Sequence, residues 1–520
     1  MRDFSDSELR AGVVLLLELV YAGETHRFTT GATVDVTSAD GALRFDGGLS
    51  LDLEDSADVF SASGAARSVS VGDLWLSVDV AALVAGGHDL AGARASLSFW
   101  APGRSYEQRS RYLAGRVYAP TYGGAAEPVS FSIVEREFDD GALLIPATAR
   151  IDAQTWPAAD SAANGKAYPL VVGKPGIFAE YDGSAGQTLG SPAYPVDVAG
   201  KRFLIAGHRV QATMIRLINT TKGEARDEVI EHVADGLGRI VATCVVSGTG
   251  LSVVEGDAYY ARWDDGNAAQ DTDGGSLDLA GDVLRYLLRR SNLPVDFGRL
   301  EAVRAYLNRY KLAFYADDPD VSVFDWIADN LLPILPISLV PGADGLRPVL
   351  YRFRATDAVD TLEAGAYAQR IGPVEYDTVQ PIQRVVVRFA PRADTGEHFR
   401  RVVVSGDANE VGATSTLPLR KSVARYVAPG EGLQTHVVET DCVYDTQTAQ
   451  LIAQTLAATR ALTRRVVRYT CDATRHGGIE VGDVLTLTDA ELSVTDAIAV
   501  VVSATFAGAS IEIECVLLED

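Results

Sequence analysis

The residues that could do chemistry in this chain are few enough to take set by set. The 520 residues include seven histidines: His26, His88, His208, His232, His398, His436 and His476. No two of them stand at i, i+4, the spacing that puts a pair of histidine zinc ligands on one helix face. Lys174 stands among glycines in Tyr168-Pro169-Leu170-Val171-Val172-Gly173-Lys174-Pro175-Gly176, which invites comparison with a phosphate loop. The Gly-x-x-x-x-Gly-Lys-Ser/Thr spacing that cradles phosphates is missing, so a β segment is expected there and no nucleotide. Asp264-Asp265-Gly266-Asn267 and Asp271-Thr272-Asp273-Gly274 gather the oxygen ligands that calcium takes. The later bidentate Glu of an EF-hand loop is absent, and a solvated turn is the expectation.

Nucleophiles fare no better. No Gly-x-Ser-x-Gly elbow occurs. Carboxylate pairs are inevitable among 70 Asp and Glu, and a glycosidase dyad is defined by its separation in space, which spacing along the chain does not give. Cys244, Cys442, Cys471 and Cys515 form no Cys-x-x-Cys pair. Three of them sit in runs that read as buried strand, where a thiol behaves as a small hydrophobe, and a reducing assembly compartment fits. The sequence therefore offers no catalytic residue, no cofactor-binding residue and no metal ligand. The expectation is a protein that is not an enzyme and carries no cofactor.

The elements that would position such residues are mostly strands. The last eighty residues set the pattern for the chain. Asp445 can cap a helix over 446–463 whose stripe is Ala449, Ile452, Ala453 and Leu456, spaced i, i+3, i+4, i+7. A strand over 465–471 follows, with Val467, Tyr469 and Cys471 on one face. Then come the Glu480-Val481-Gly482-Asp483 corner, a strand through Leu487, and two more over 497–504 and 510–517. In the last, Ile511, Ile513, Cys515 and Leu517 alternate with Glu512 and Glu514. The expected arrangement is this one helix laid against this small antiparallel sheet.

Upstream, alternation and turn residues predict seven or eight strands between residues 13 and 137. Residues 151–250 read as a β insert with its own core, including a strand over 239–247. Three helices follow, over 279–290, 300–310 and 321–332, the first stopped by Pro294 and the last by Pro333. A strand over 346–354 comes next, and the chain is β again from about 370.

At this length two to four domains are expected. Hydrophobic residues make up 47% and charged ones 22%, ordinary for a folded protein. The formal net charge of −24 would repel phosphates, which argues against a nucleic-acid-binding protein. The run 13–20 is broken by Glu18 and preceded by acidic residues, unlike a signal peptide. No stretch approaches the roughly 20 apolar residues of a membrane span, so no membrane segment is expected.

The helix carrying Thr446, Ala449, Ala453 and Leu456, followed by a strand and the Glu480-x-Gly482-Asp483-x-x-x-Leu487 corner, resembles the C-terminal part of phage tail hub proteins. That is the distal tail-tip and baseplate hub family, related in architecture to contractile-tail hubs and the base of the type VI secretion spike. Leu113-Ala114-Gly115-Arg116-Val117, Glu127-Pro128-Val129-Ser130-Phe131 and the 168–176 segment are similar to phrases of the same family. The resemblance implies a mainly β fold with an inserted α/β part: two tail-tube-like β-barrels flanking a middle domain with three helices. The implied domains are 1–150, a first barrel; 151–250, a β-rich insert; 251–369, an α/β middle domain; and 370–520, a second barrel with one helix. It implies a structural hub in the virion tail tip, assembled in the host cytoplasm as a homotrimer. Its partners would be the distal tail protein and tail tube ring, the tape measure protein, and central tip or fibre proteins. DNA would pass through without specific binding during genome ejection, and Glu512 and Glu514 are candidates for an acidic passage wall. A receptor-binding, adhesin-like tail protein and a host-envelope hydrolase remain open as alternatives.

Overall fold

The computed structural model describes residues 12–21, 23–56, 68–74, 90–122, 128–135, 142–176, 189–263, 277–342, 345–351, 354–365, 367–376, 382–405, 415–416, 434–460, 465–507 and 510–518. The acidic loop 264–274, His88 and the end of the helix expected over 446–463 lie outside these residues. The fold is mainly β, with a nearly closed barrel, a half-barrel sheet and a small helical part.

The largest sheet has 15 strands and takes strands from both ends of the chain. From one edge it runs Ala368–Tyr376, Arg465–Asp472, Ser510–Leu518 and Val494–Ala507. It continues through Leu49–Ser56, Ser68–Leu74, Val129–Glu135, Ser110–Tyr122, Arg94–Trp100, Val14–Tyr21, Glu24–Thr29, Gly41–Gly47 and Val34–Ser38. The N-terminal strands alternate as expected, and Leu17, Leu19, Phe28, Leu97, Leu113, Val117, Phe131 and Ile133 share one core. At the other end, Val467, Tyr469 and Cys471 bury against Ile511, Ile513, Cys515 and Leu517 in a second core.

Between these, among the described residues, lie four smaller sheets and the helices. A seven-stranded sheet spans Ser191–Pro192 to Tyr259–Arg262, and its core holds Phe203, Ile205, Leu217, Cys244 and Trp263. The helices Ala280–Arg290, Phe297–Leu307 and Val323–Asn330 fall where periodicity places them. Asp296 caps the second through Arg299 N–H at 2.9 Å, and Ser322 caps the third through Asp325 N–H at 3.0 Å. Trp326 stacks on Phe314 with ring centroids 4.5 Å apart, as a core aromatic should.

The long helix Thr446–Arg460 has the expected cap and stripe but a different partner. Asp445 accepts from Thr448 N–H at 2.7 Å, and Ala449, Ile452 and Ala453 are fully buried. The stripe packs on Arg384–Pro391 and His398–Ser405, in one core with Val385, Val387, Val402 and Val404. It does not lie on the C-terminal strands, whose apolar face is already filled from within their own sheet and by Val340, Val349 and Leu362. Strand Thr435–Glu439, just before the helix, pairs in parallel with Arg384–Arg388, and the helix returns across that sheet.

Candidate functional site

Most groups with chemical potential are used for packing. The four cysteines are free and buried, and burial pushes each thiol up, Cys471 to about 12. The glycines around Lys174 serve close backbone approach. Gly173 sits at φ +63° against Leu312 and Ala313, and a Cβ on Gly176 would fall 2.7 Å from Gly190. His208 and His232 flank the segment 207–210, and the other described histidines are dispersed. His476 is buried, with Nδ1 2.9 Å from an Asp360 carboxylate oxygen, while His398 Nε2 lies 3.0 Å from Asp441. Burial raises the Asp360 carboxyl, but hydrogen bonds from His476 and Thr361 N–H outweigh it and hold the group below its usual range. Among the described residues no group of three or more His, Cys, Asp or Glu is placed to hold a metal ion. No helix among them is long and apolar enough to cross a membrane.

What the architecture assembles instead is a joint between the two ends of the chain. The 14-residue strand Val494–Ala507 extends about 46 Å at 3.3 Å per residue. One flank pairs from Ile498 to Ala507 with Ser510–Leu518. The other is shared by two strands in turn. Its first half pairs with Val484–Asp489, and its second half with the N-terminal strand, in the register Ser503↔Ser56, Ala504↔Asp55, Thr505↔Glu54 and Phe506↔Leu53. A register shift between Val501 and Ser503 marks the change. One strand thereby carries both walls of the large sheet.

The Gly-Asp corner fixes that strand system to the helical part. Arg347, 3% exposed at its side chain, reaches Glu480 at 2.8 Å and Asp483 at 3.5 Å, and Arg299 reaches Glu480 at 3.3 Å. Asp483 also accepts from Glu480 N–H at 2.8 Å, closing the turn. Gly482 has φ +85°, and a Cβ there would stand 2.5 Å from a Val349 methyl. The corner is legible in the sequence and its partner is not, because nothing local marks an arginine 136 residues upstream.

The polar face of the C-terminal sheet is less acidic than Glu512 and Glu514 suggest. Arg468 bonds Glu514 at 2.8 Å and approaches Glu375 at 3.5 Å. The two carboxylates hold the Arg468 guanidinium above its usual range, the Glu514 hydrogen bond first. Glu512 is exposed.

The fold defines a mainly β protein with an inserted α/β part. No family model matches the chain, and no curated protein does. Among solved structures it is similar to a chain of the virion of a native gene transfer agent particle, with TM-score 0.38, 13% identity, and coverage of 72% of this chain and 88% of that one. It is also similar to the tail protein from Neisseria meningitidis MC58, with TM-score 0.36, 12% identity and 97% of each chain covered. The prophage MuSo2 43 kDa tail protein from Shewanella oneidensis gives TM-score 0.34 and 10% identity, over 97% of this chain and 98% of that one. Likenesses of this size assign neither a role nor a residue.

Proposed function

We propose that the chain is a structural hub at the distal end of a phage tail, joining the tail tube to tip proteins. The observation that carries the reading is the joint at Val494–Ala507, which brings the N-terminal and C-terminal strands into one sheet. A ring of three chains, each bringing two barrel walls, matches a six-fold tube. The barrels are taken as residues 1–150 and 370–520, with the β insert 151–250 and the α/β part 251–369 between them. The neighbours are the distal tail protein and tail tube ring, the tape measure protein, and central tip or fibre proteins. DNA crosses the ring without being held, consistent with a net charge of −24. The role is one of assembly and passage and involves no catalysis.

Gold-labelled antibodies against this chain, applied to assembled particles, test the location. Label concentrated at the distal tail end is the expected result. Label on the head, along the shaft or on side fibres overturns it.

A further inference from the structure

Segment 207–210, between strands Arg202–Ala206 and Met214–Asn219, fastens the seven-stranded sheet to the helical layer. Gly207 N–H donates to Pro169 O at 2.8 Å, and Val171 N–H donates to His208 Nε2 at 3.1 Å. Leu170–Val172 in turn pairs with Phe314–Ala316 of the helical layer. On the other side of the segment, Val210 N–H donates to Nε2 of His232, on strand Glu224–Ala234, at 3.1 Å. Each imidazole is thus an acceptor at Nε2, which only the neutral ring provides. His208 Nδ1 is 2.8 Å from Arg209 O and carries the hydrogen, so the tautomer follows from the contacts.

We propose that His208 and His232 form a pH-sensitive fastening, closed while both rings are neutral and released when they take up protons. Protonation turns each acceptor into a donor facing a backbone N–H. Val171 and Val210 then lose their acceptors, and the seven-stranded sheet loses its polar tie to Leu170–Val172.

The charges around the rings set the direction. On His208 act Arg290, from the end of the helix Ala280–Arg290, and His232, from the neighbouring strand. On His232 acts Arg209, from the fastened segment itself. Beside Pro169 stands Tyr168, whose hydroxyl donates to Asp235, and Asp235 also holds Arg239, so that carboxylate is engaged. His208 is half-buried. Burial, helped by Arg290, pushes it down to about 4. His232 is lowered by burial and then by Arg209. Release therefore belongs to acidic pH, below the ordinary histidine range.

The test is hydrogen exchange of the full chain at pH 7.5 and pH 4.5, corrected for intrinsic rates, read in peptides covering 168–176 and 207–213. Protection of Val171 and Val210 should fall at least about tenfold at pH 4.5, while the core strands of the large sheet stay protected. In H208Q/H232Q, whose amide oxygens accept at either pH, the fall should disappear. An equal fall in that variant overturns the proposal, as does unchanged protection in the wild type. Should the variant fold poorly, ring titration of ¹³C-histidine-labelled wild type decides. Rings that gain protons together with the rise in Val171 and Val210 exchange support the fastening, and rings that titrate without it refute it.

Discussion

Gly482 is a position in the corner that a single added carbon would strain. Its left-handed φ and the 2.5 Å clearance to Val349 leave no room for a methyl group. Gly482→Ala should cost about 1–3 kcal/mol through strain and overpacking, seen as a lower denaturation midpoint. Arg347→Met should cost more, about 3–5 kcal/mol, because the buried Asp483 would lose the guanidinium that faces its charge, while Arg299 still reaches Glu480. A midpoint unchanged in the Arg347 variant would show that the corner does not depend on this pair. The thiols give a simpler check: the native protein should not react with Ellman's reagent, and the unfolded chain should titrate four thiols. At this scale the sequence was legible where chemistry is local. Asp445 as a cap, Gly-Asp as a corner and three of the four cysteines as buried strand residues all follow from neighbours along the chain. The Arg347 partnership and the His208 contact with Val171 follow only from the folded path.

Elements were legible by period and illegible by partner. Ala449, Ile452, Ala453 and Leu456 declare a helix face, but any apolar surface satisfies a stripe. Two valine-rich strands, Arg384–Pro391 and His398–Ser405, took it ahead of the strands next in sequence. Ile452→Ala, at a fully buried position, should therefore cost about 2–5 kcal/mol and loosen Arg384–Pro391. Hydrogen exchange should show the loosening there and leave Ser510–Leu518 protected. The opposite pattern would return the helix to the C-terminal sheet. Among the described residues, strand content of 48% against 14% helix should also give a far-UV circular dichroism spectrum dominated by β signal.

At the scale of the whole molecule, the joint of the two chain ends is what local patterns conceal. Leu49–Ser56 and Val494–Ala507 are more than 400 residues apart, and each reads alone as an ordinary strand. Only closure of the large sheet shows that they are neighbours. In the proposed ring the passage wall is acidic as a whole, even though Arg468 neutralises Glu514 locally. Replacing wall carboxylates with lysine should leave particles that adsorb normally and eject DNA slowly, since phosphates would then be held. A reconstruction of the assembled particle tests the proposed ring most directly. Three copies of this chain around the distal tail axis, with two barrel walls from each completing six positions, are predicted. Six copies, a single copy, or barrels turned away from the axis would contradict it.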